Sequence, residues 1–273
     1  TGLRANQVSF RLHDIALAPG TPVTLRWRLL PLPKATEYFD FINALRRRWG
    51  SNFTVQGPFD WISMTSPLLD RPEELKAYLQ RKRVKLMAIV PWLDYDAQSE
   101  DHVWPREEFK ARALKAIAAL KAADPDILCV GCIETDWVTI YPERLAGGER
   151  LPVAGTGAGG HLGPELAKVI DDADLPWKDS VKRGADGGLE LELYMRGGKP
   201  QTALSVYPAV GNYQFQFLMD QARFLFDECG ADGFYIDEFS QSWRESIRSY
   251  DGWDGRSIEV DPRTGKAGRR YVD

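Results

Sequence analysis

Several residue types and patterns that mark common protein classes are scarce in this chain of 273 residues. It has only three cysteines and three histidines, so neither a disulfide framework nor a histidine-rich metal centre is expected. Its net charge of −4 lacks the basic excess of a nucleic-acid-binding protein. No apolar run reaches the roughly 18 residues of a transmembrane helix, and the N-terminus shows no signal-peptide pattern. We therefore expect neither a nucleic-acid nor a membrane partner, while localisation and oligomeric state stay open.

Two of the cysteines, Cys129 and Cys132, form a CxxC motif inside the apolar stretch ILCVGCI. In a strand, residues three apart face opposite sides, which is the wrong geometry for a shared metal. Buried, apolar cysteines are therefore expected. The glycine-rich GTGAGG at 155–160 follows no clear strand, so it does not predict a nucleotide-binding loop. No cofactor is predicted.

The first part of the chain has the pattern of an antiparallel sheet. Apolar residues alternate along 8–12 and again along 23–29, with the turn Ala18-Pro19-Gly20 between them. This pattern predicts a β-hairpin. Since two strands alone are marginally stable, residues 1–33 are interpreted as the end of a β-sandwich-like domain plus a linker.

Residues 34–273 alternate between helix and strand patterns instead. Helices are predicted at 36–49, 71–82, 105–123 and about 213–229, the last capped by Asn212, and strands at 52–62, 84–92, 126–135 and 231–239. The stretch 142–188 is expected to be irregular apart from a short helix at 164–171, residues 189–207 to form a hairpin, and the tail 240–273 to be loop-like. The alternation predicts an α/β fold with a parallel sheet, either doubly wound or a TIM-type (β/α) barrel.

Carboxylate and aromatic side chains are predicted at the end of every one of these strands. They are Asp60 and Trp61, then Trp92 and Asp94, then Glu134, Asp136 and Trp137, and finally Asp237 and Glu238. In a β/α barrel the carboxyl ends of the strands meet at one face, where active sites lie. Any single acid could instead cap the helix that follows its strand. Carboxylates that accept hydrogen bonds from hydroxyls, beside aromatic rings that stack on sugar faces, together indicate a carbohydrate site.

The segment GADGFYIDEFSQ, residues 230–241, resembles the fourth-strand signature of retaining TIM-barrel glycoside hydrolases. The same pattern occurs in the α-amylase, α-glucosidase and α-galactosidase clans, in dextranases and in endo-α-N-acetylgalactosaminidases. The resemblance implies that Asp237 is the nucleophile and that Asp232 and Gly233 form the turn into the strand. Strand alternation places Glu238 on the other face, which also favours Asp237 for the chemistry.

The resemblance further implies that the chain covers the N-terminal half of a barrel, because only four strands are predicted by residue 239. In such enzymes the general acid comes from a later strand, which would lie beyond residue 273. The candidates for that role within the chain are Glu134 and Asp136.

The sequence thus predicts a glycoside hydrolase that acts on an oligo- or polysaccharide by a retaining two-carboxylate mechanism, with Asp237 and Glu134 catalytic. The predicted substrate-binding residues are Asp60, Trp61, Trp92, Asp94, Asp136, Trp137, Tyr207, Tyr235 and Glu238. Two alternatives stay open. One is a non-catalytic carbohydrate-binding barrel domain. The other is a hydrolase whose Mg²⁺ or Ca²⁺ is bound by Asp60, Asp94, Asp136 and Asp237.

Overall fold

A computed structural model gives the structure of the chain. It describes residues 2–4, 7–9, 20, 22–29, 31, 37–51, 57–94, 104–142, 145–152, 160–196, 199–237, 239 and 248–272. The strands are β1 (Gly2–Arg4), β2 (Gln7–Ser9), β3 (Phe59–Ser63), β4 (Leu86–Val90), β5 (Leu128–Glu134), β6 (Trp137–Ile140), β7 (Gly160–Leu162), β8 (Leu189–Arg196), β9 (Lys199–Ser205), β10 (Gly233–Asp237), β11 (Ile258–Val260) and β12 (Ala267–Arg270). The helices are α1 (Tyr38–Trp49), α2 (Pro72–Lys82), α3 (Arg106–Ala123), α4 (Pro164–Asp172) and α5 (Tyr213–Arg223).

The centre of the fold is a parallel four-stranded sheet in the order β10-β5-β4-β3. The four strands occur along the chain in the same order as across the sheet, and each connection between them contains a helix, as parallel pairs require. The prediction of a mixed α/β fold with a parallel sheet is therefore confirmed. Within the part of the chain that the structure describes, the sheet is open and does not close into a barrel.

The two faces of this sheet have different surroundings. On the outer face, alternate strand residues such as Ile62, Met87 and Ile133 form one core with the apolar sides of α2, α3 and the turn of π-helix (Phe224–Glu228) that extends α5. On the inner face a smaller cluster contains Val90 and Cys132 together with half-buried aromatic residues. Helices thus cover the outer face, and the inner face carries partly exposed rings.

A second, antiparallel sheet is inserted between β5 and β10, with the strand order β6-β9-β8-β7. The predicted hairpin at 189–207 forms its centre as β8 and β9, and the predicted helix at 164–171 is α4. The flanking strands β6 and β7 were not predicted. The inserted sheet has its own core around Leu162, Leu189 and Leu204, which are fully buried.

Two terminal predictions are wrong. The N-terminal hairpin pairs β1 with β2, whereas residues 22–29 contain no strand, and Leu25, Trp27 and Leu29 are exposed there. Alternation alone does not make a strand without a partner edge; the predicted first-strand residues 10–12 lie outside the described part. The tail also contains structure, because β11 and β12 form an antiparallel hairpin.

Helix α1 begins and ends close to its predicted bounds, yet none of its residues is buried. Its aromatic residues Tyr38, Phe39 and Trp49 are mostly exposed. No helix among the described residues is long and apolar enough to span a membrane.

Candidate functional site

Three of the four predicted acid-bearing strand ends lie where they were expected. Strand β4 ends just before Trp92 and Asp94, β5 ends at Glu134, and β10 ends at Asp237. Because the strands are parallel, these residues lie at one edge of the sheet, the edge outside which ligands of α/β proteins bind.

The prediction for the first strand is wrong. Strand β3 begins at Phe59, so Asp60 and Trp61 lie within it and not at its carboxyl end. Alternation turns Asp60 to the outer face, where it accepts hydrogen bonds from the Tyr78 hydroxyl (2.5 Å) and the Lys82 ammonium (2.7 Å). Burial alone would raise the pKa of Asp60, but these two donors outweigh it and hold the pKa below its usual value. Asp60 therefore forms a structural ion pair away from the other predicted site residues.

The central feature of the edge is a pair of carboxylates on neighbouring strands. Glu134 and Asp237 are Cα partners in the β5–β10 register and are the last residues of their strands. Alternation places both on the inner face. Burial, and then the charge of Asp237, raise the pKa of the Cys132 thiol, which belongs to the inner-face cluster.

Hydrogen bonds fix the positions of these two residues. The Thr135 hydroxyl donates to the Asp237 carbonyl oxygen (2.6 Å), and the Tyr235 hydroxyl donates to Asp237 Oδ1 (3.4 Å). Glu134 Oε1 accepts the Asp136 backbone N–H (2.9 Å), and Glu134 is only 6% exposed. The Glu134 carboxylate is thus held by a backbone N–H, and the Asp237 carboxylate lies partly exposed beside Tyr235.

Four rings on the inner face form what we term the aromatic cluster: Phe59, Trp61, Trp92 and Tyr235. Ring centroids lie 4.5 Å apart for Trp61 and Tyr235, 5.6 Å for Trp61 and Trp92, and 5.7 Å for Phe59 and Tyr235. Phe59 and Trp61 keep more than a third of their surface exposed. The structure therefore brings together three predicted substrate-binding residues, Trp61, Trp92 and Tyr235, as an accessible apolar surface.

A cavity of about 180 Å³ opens at the same edge. We term it the strand-end cavity, and its lining consists of Asp94, Glu134, Trp137, Val138, Thr139, Tyr141, Trp177, Tyr213, Gln214, Phe217 and Gln221. Of the predicted residues it collects Asp94, Glu134 and Trp137. The others come from the segment inserted between β5 and α5 and from α5 itself, which the sequence did not link to the site.

Asp94 lies in the cavity wall in a left-handed conformation with φ of 53°, which aspartate tolerates better than most residues. The Arg106 guanidinium donates to it through Nε (3.0 Å) and Nη2 (2.6 Å). The hydrogen bonds to Asp94, with those to Asp220, raise the pKa of Arg106 against the opposing effect of burial. Asp94 is therefore ion-paired within the wall, through a guanidinium that it shares with Asp220.

The remaining predicted site residues lie elsewhere. Asp136 forms a buried ion pair with Lys182 of the inserted segment. The Tyr207 hydroxyl faces Asp251 at 3.5 Å, near the C-terminal hairpin. Glu238 lies outside the described residues.

The CxxC motif and the four aspartates of the metal alternative can be located among the described residues. Cys129 belongs to the outer core and Cys132 to the inner cluster, so the CxxC cysteines face opposite sides as expected, and burial raises the pKa of Cys129 to about 12. In the described part of the chain no three His, Cys, Asp or Glu residues come together as a metal-binding group. The four aspartates of the metal alternative are dispersed, and three of them pair with cationic side chains.

No protein-family model and no curated protein sequence matches this chain. Any functional assignment therefore depends on the carboxylate pair, the aromatic cluster and the strand-end cavity.

Proposed function

We propose that the protein is a glycoside hydrolase that acts on an oligo- or polysaccharide with retention of configuration. The observation that carries the proposal is the in-register pairing of Glu134 with Asp237 at the ends of two parallel strands. Neighbouring strands lie about 4.8 Å apart. Two carboxyl groups that rise from the same face are then closer to the roughly 5–5.5 Å of retaining enzymes than to the roughly 6.5–9.5 Å of inverting ones.

In the proposed mechanism Asp237 attacks the anomeric carbon and forms a glycosyl ester, while Glu134 gives its proton to the departing glycosidic oxygen. Glu134 then removes a proton from water, the water oxygen attacks the anomeric carbon, and Asp237 leaves as the carboxylate. The Tyr235 hydroxyl, 3.4 Å from Asp237 Oδ1, is placed to orient the nucleophile. The aromatic cluster supplies apolar faces on which sugar rings can stack.

We also propose that the parallel sheet belongs to a TIM-type (β/α) barrel. Its strand order follows the chain without reversal, whereas a doubly wound sheet reverses its strand order at a switch point. In the described part of the chain the helices packed on this sheet cover its outer face, and the acids lie at the carboxyl ends of three strands, as in barrel enzymes. The barrel would make the inner face, with its aromatic cluster, the floor of the site.

One observation favours a second candidate, a carbohydrate-binding domain without catalysis. The bond from the Asp136 N–H to Glu134 Oε1 stabilises a carboxylate and not a carboxylic acid. Glu134 would then accept hydrogen bonds from hydroxyls, and a proton donor would have to come from elsewhere.

Hydrolysis of a panel of aryl glycosides by the wild type and by Asp237→Asn tests the proposal. Loss of the nucleophile should lower kcat/KM by at least about a thousandfold, since triad-type nucleophile losses are of that size or larger. Asp172→Asn on the exposed side of α4 is the matched control and should match the wild type. An active wild type whose rate is unchanged in Asp237→Asn would exclude Asp237 as the nucleophile.

Glu134→Gln separates the two candidates for Glu134. If Glu134 is the acid, kcat/KM should fall for glycosides with poor leaving groups and stay nearly normal for dinitrophenyl glycosides, whose departure needs no protonation; kcat/KM reports formation of the glycosyl-enzyme, whereas its later hydrolysis should slow for both substrates. Equal loss of kcat/KM on both substrates would assign Glu134 to binding. Absence of hydrolysis in the wild type, with retained glycan binding, would favour the non-catalytic domain.

A further inference from the structure

We propose that the strand-end cavity binds one hydroxyl-rich sugar ring, with the side-chain oxygens of Gln214 and Gln221 as its hydrogen-bond acceptors. The inference rests on the proposed function in one respect: the ring would be the terminal sugar of the substrate. Its binding can be measured without any catalysis.

The two glutamines have fixed orientations. Gln214 Nε2 donates to the Thr135 carbonyl oxygen (3.2 Å), and Gln221 Nε2 donates to the Leu93 carbonyl oxygen (2.8 Å). Since only the NH₂ group can donate to a carbonyl, the position of each Oε1 is determined. α5 thereby holds the chain segments that follow β4 and β5.

Both Oε1 atoms are buried without a hydrogen-bond partner among the described residues. Gln214 and Gln221 are each 1% exposed, and both line the cavity. A buried acceptor left unsatisfied is energetically costly, so most such groups in proteins are paired with a ligand, water or protein donor. Both side chains belong to the wall of one cavity, and a ligand that donates hydrogen bonds there would satisfy both oxygens.

The spacing of the glutamines suits a single ring. They are seven residues apart on α5, which places them on one face of the helix about 10 Å apart along its axis. A hydroxyl hydrogen bond spans about 2.8 Å, so this axial spacing matches one ring with a hydroxyl at each side. Phe217 lies between the glutamines in the same wall.

The size and chemistry of the cavity agree with this occupant. Its volume of about 180 Å³ is slightly larger than the roughly 150 Å³ cavity that holds benzene in an engineered protein. Trp137 and Trp177 line it and supply faces for stacking on sugar C–H groups. The two unpaired acceptors of the wall are neutral amide oxygens, and neutral hydroxyls are donors that suit them.

A cavity for one ring has a consequence for the substrate. Such a volume suits the single ring of a chain end, so we expect the hydrolase to release sugars from a terminus. Glu134, which also lines the cavity, would then lie beside the bond that joins the terminal sugar to the rest of the chain.

Saturation-transfer NMR and calorimetry with the methyl glycosides of glucose, galactose, mannose and xylose test the inference on the Asp237→Asn protein. We expect at least one glycoside to bind, and Val138→Phe, which fills the cavity, to weaken binding at least tenfold. Val210→Phe is the matched control, since Val210 is 93% exposed, and should bind like its parent. Cyclohexanol, a ring with one hydroxyl, should bind at least tenfold more weakly than the best glycoside.

The acceptors are tested by Gln214→Met and Gln221→Met, with Gln80→Met on the exposed side of α2 as control. Each cavity variant should bind the glycoside about tenfold more weakly, the value of one hydrogen bond of about 1.4 kcal/mol; Gln80→Met should not change binding. The inference is overturned if no glycoside binds, if cyclohexanol binds equally well, if Val138→Phe binds unchanged, or if Gln214→Met and Gln221→Met both bind like their parent.

These experiments distinguish a failure of the proposed sugar cavity from a failure of the proposed nucleophile. Glycoside binding that Val138→Phe abolishes, in a protein whose hydrolysis does not depend on Asp237, would keep the sugar cavity and reject the proposed nucleophile. Hydrolysis that depends on Asp237, together with glycoside binding that Val138→Phe leaves unchanged, would keep the proposed nucleophile and reject the sugar cavity.

Discussion

At the scale of single residues, the acids of the strand ends have different partners and hence different tasks. Asp136 forms a buried ion pair with Lys182, and both side chains are at most 10% exposed. In the sequence, Asp136 and Glu134 were both predicted as site residues, because strand alternation places them on one face and Asp136 has an aromatic neighbour. The difference comes from Lys182, which lies 46 residues further on and could not be paired with Asp136 before the fold was known.

Lys182→Met should destabilise the protein by about 3–5 kcal/mol, because it leaves the Asp136 carboxylate buried without its cation. Urea unfolding measures the loss, and the double variant Asp136→Asn with Lys182→Met should recover a large part of it. Lys168→Met, which breaks the exposed pair with Asp172, should change stability by less than about 1 kcal/mol. Similar losses from both single variants would contradict a buried pair.

His161 gives the inserted sheet a pH-dependent stability. Its ring nitrogens lie 2.9 Å from Asp186 and 3.1 Å from Glu190. Burial alone would lower its pKa, but the two carboxylates outweigh burial and raise the pKa above the ordinary 6.5. A raised folded-state pKa stabilises the fold below the unfolded pKa, and this stabilisation is lost as the pH rises through the folded pKa.

The free energy of unfolding of the wild type, relative to His161→Gln, should therefore be largest below pH 6.5 and should shrink at higher pH. Urea unfolding of both proteins between about pH 5 and pH 9, which brackets histidine titration, measures it. A difference that stays constant across that range would contradict the assignment.

At the scale of elements, local patterns predicted α2 to α5, the four parallel strands and the inserted hairpin, because their apolar periodicity is set by nearby residues. Strands β6 and β7 were not predicted, because they are short and form only by pairing with the edges of the hairpin β8–β9, which is distant in the sequence. The contribution of α5 to the cavity was also missed. The available signal was the pair of glutamines seven residues apart on its inward face, since polar side chains on a buried face require hydrogen-bond partners.

The contact between α5 and the sheet can be tested at Gly131 in β5. A Cβ there would lie 2.7 Å from Leu225 Cδ2 in the π-helical turn, so Gly131→Ala should cost about 1–3 kcal/mol through overpacking. Gly233→Ala in the neighbouring strand is the matched control, because its Cβ would meet Val130 at an ordinary 3.5 Å. Thermal unfolding of both variants compares them, and equal effects would argue against tight packing of this turn on β5.

At the scale of the whole molecule, the parallel sheet brings residues from distant parts of the chain to one edge. The sequence predicted that edge correctly for β4, β5 and β10, since an acid follows or ends each apolar run. It failed for β3, where the strand begins at Phe59 and alternation turns Asp60 away. The pairing of Glu134 with Asp237 depends on strand register, which the sequence does not specify by itself.

The central claim, that Asp237 is the nucleophile of a retaining glycosidase, is tested most directly by trapping the covalent intermediate. Fluorinated glycosyl fluorides of the preferred sugar slow the release of the glycosyl group, so the adduct accumulates and can be located by peptide mass spectrometry. We expect one sugar on Asp237 in the wild type and none in Asp237→Asn. An adduct on another carboxylate, or no adduct in a protein that hydrolyses the parent glycoside, would contradict the account.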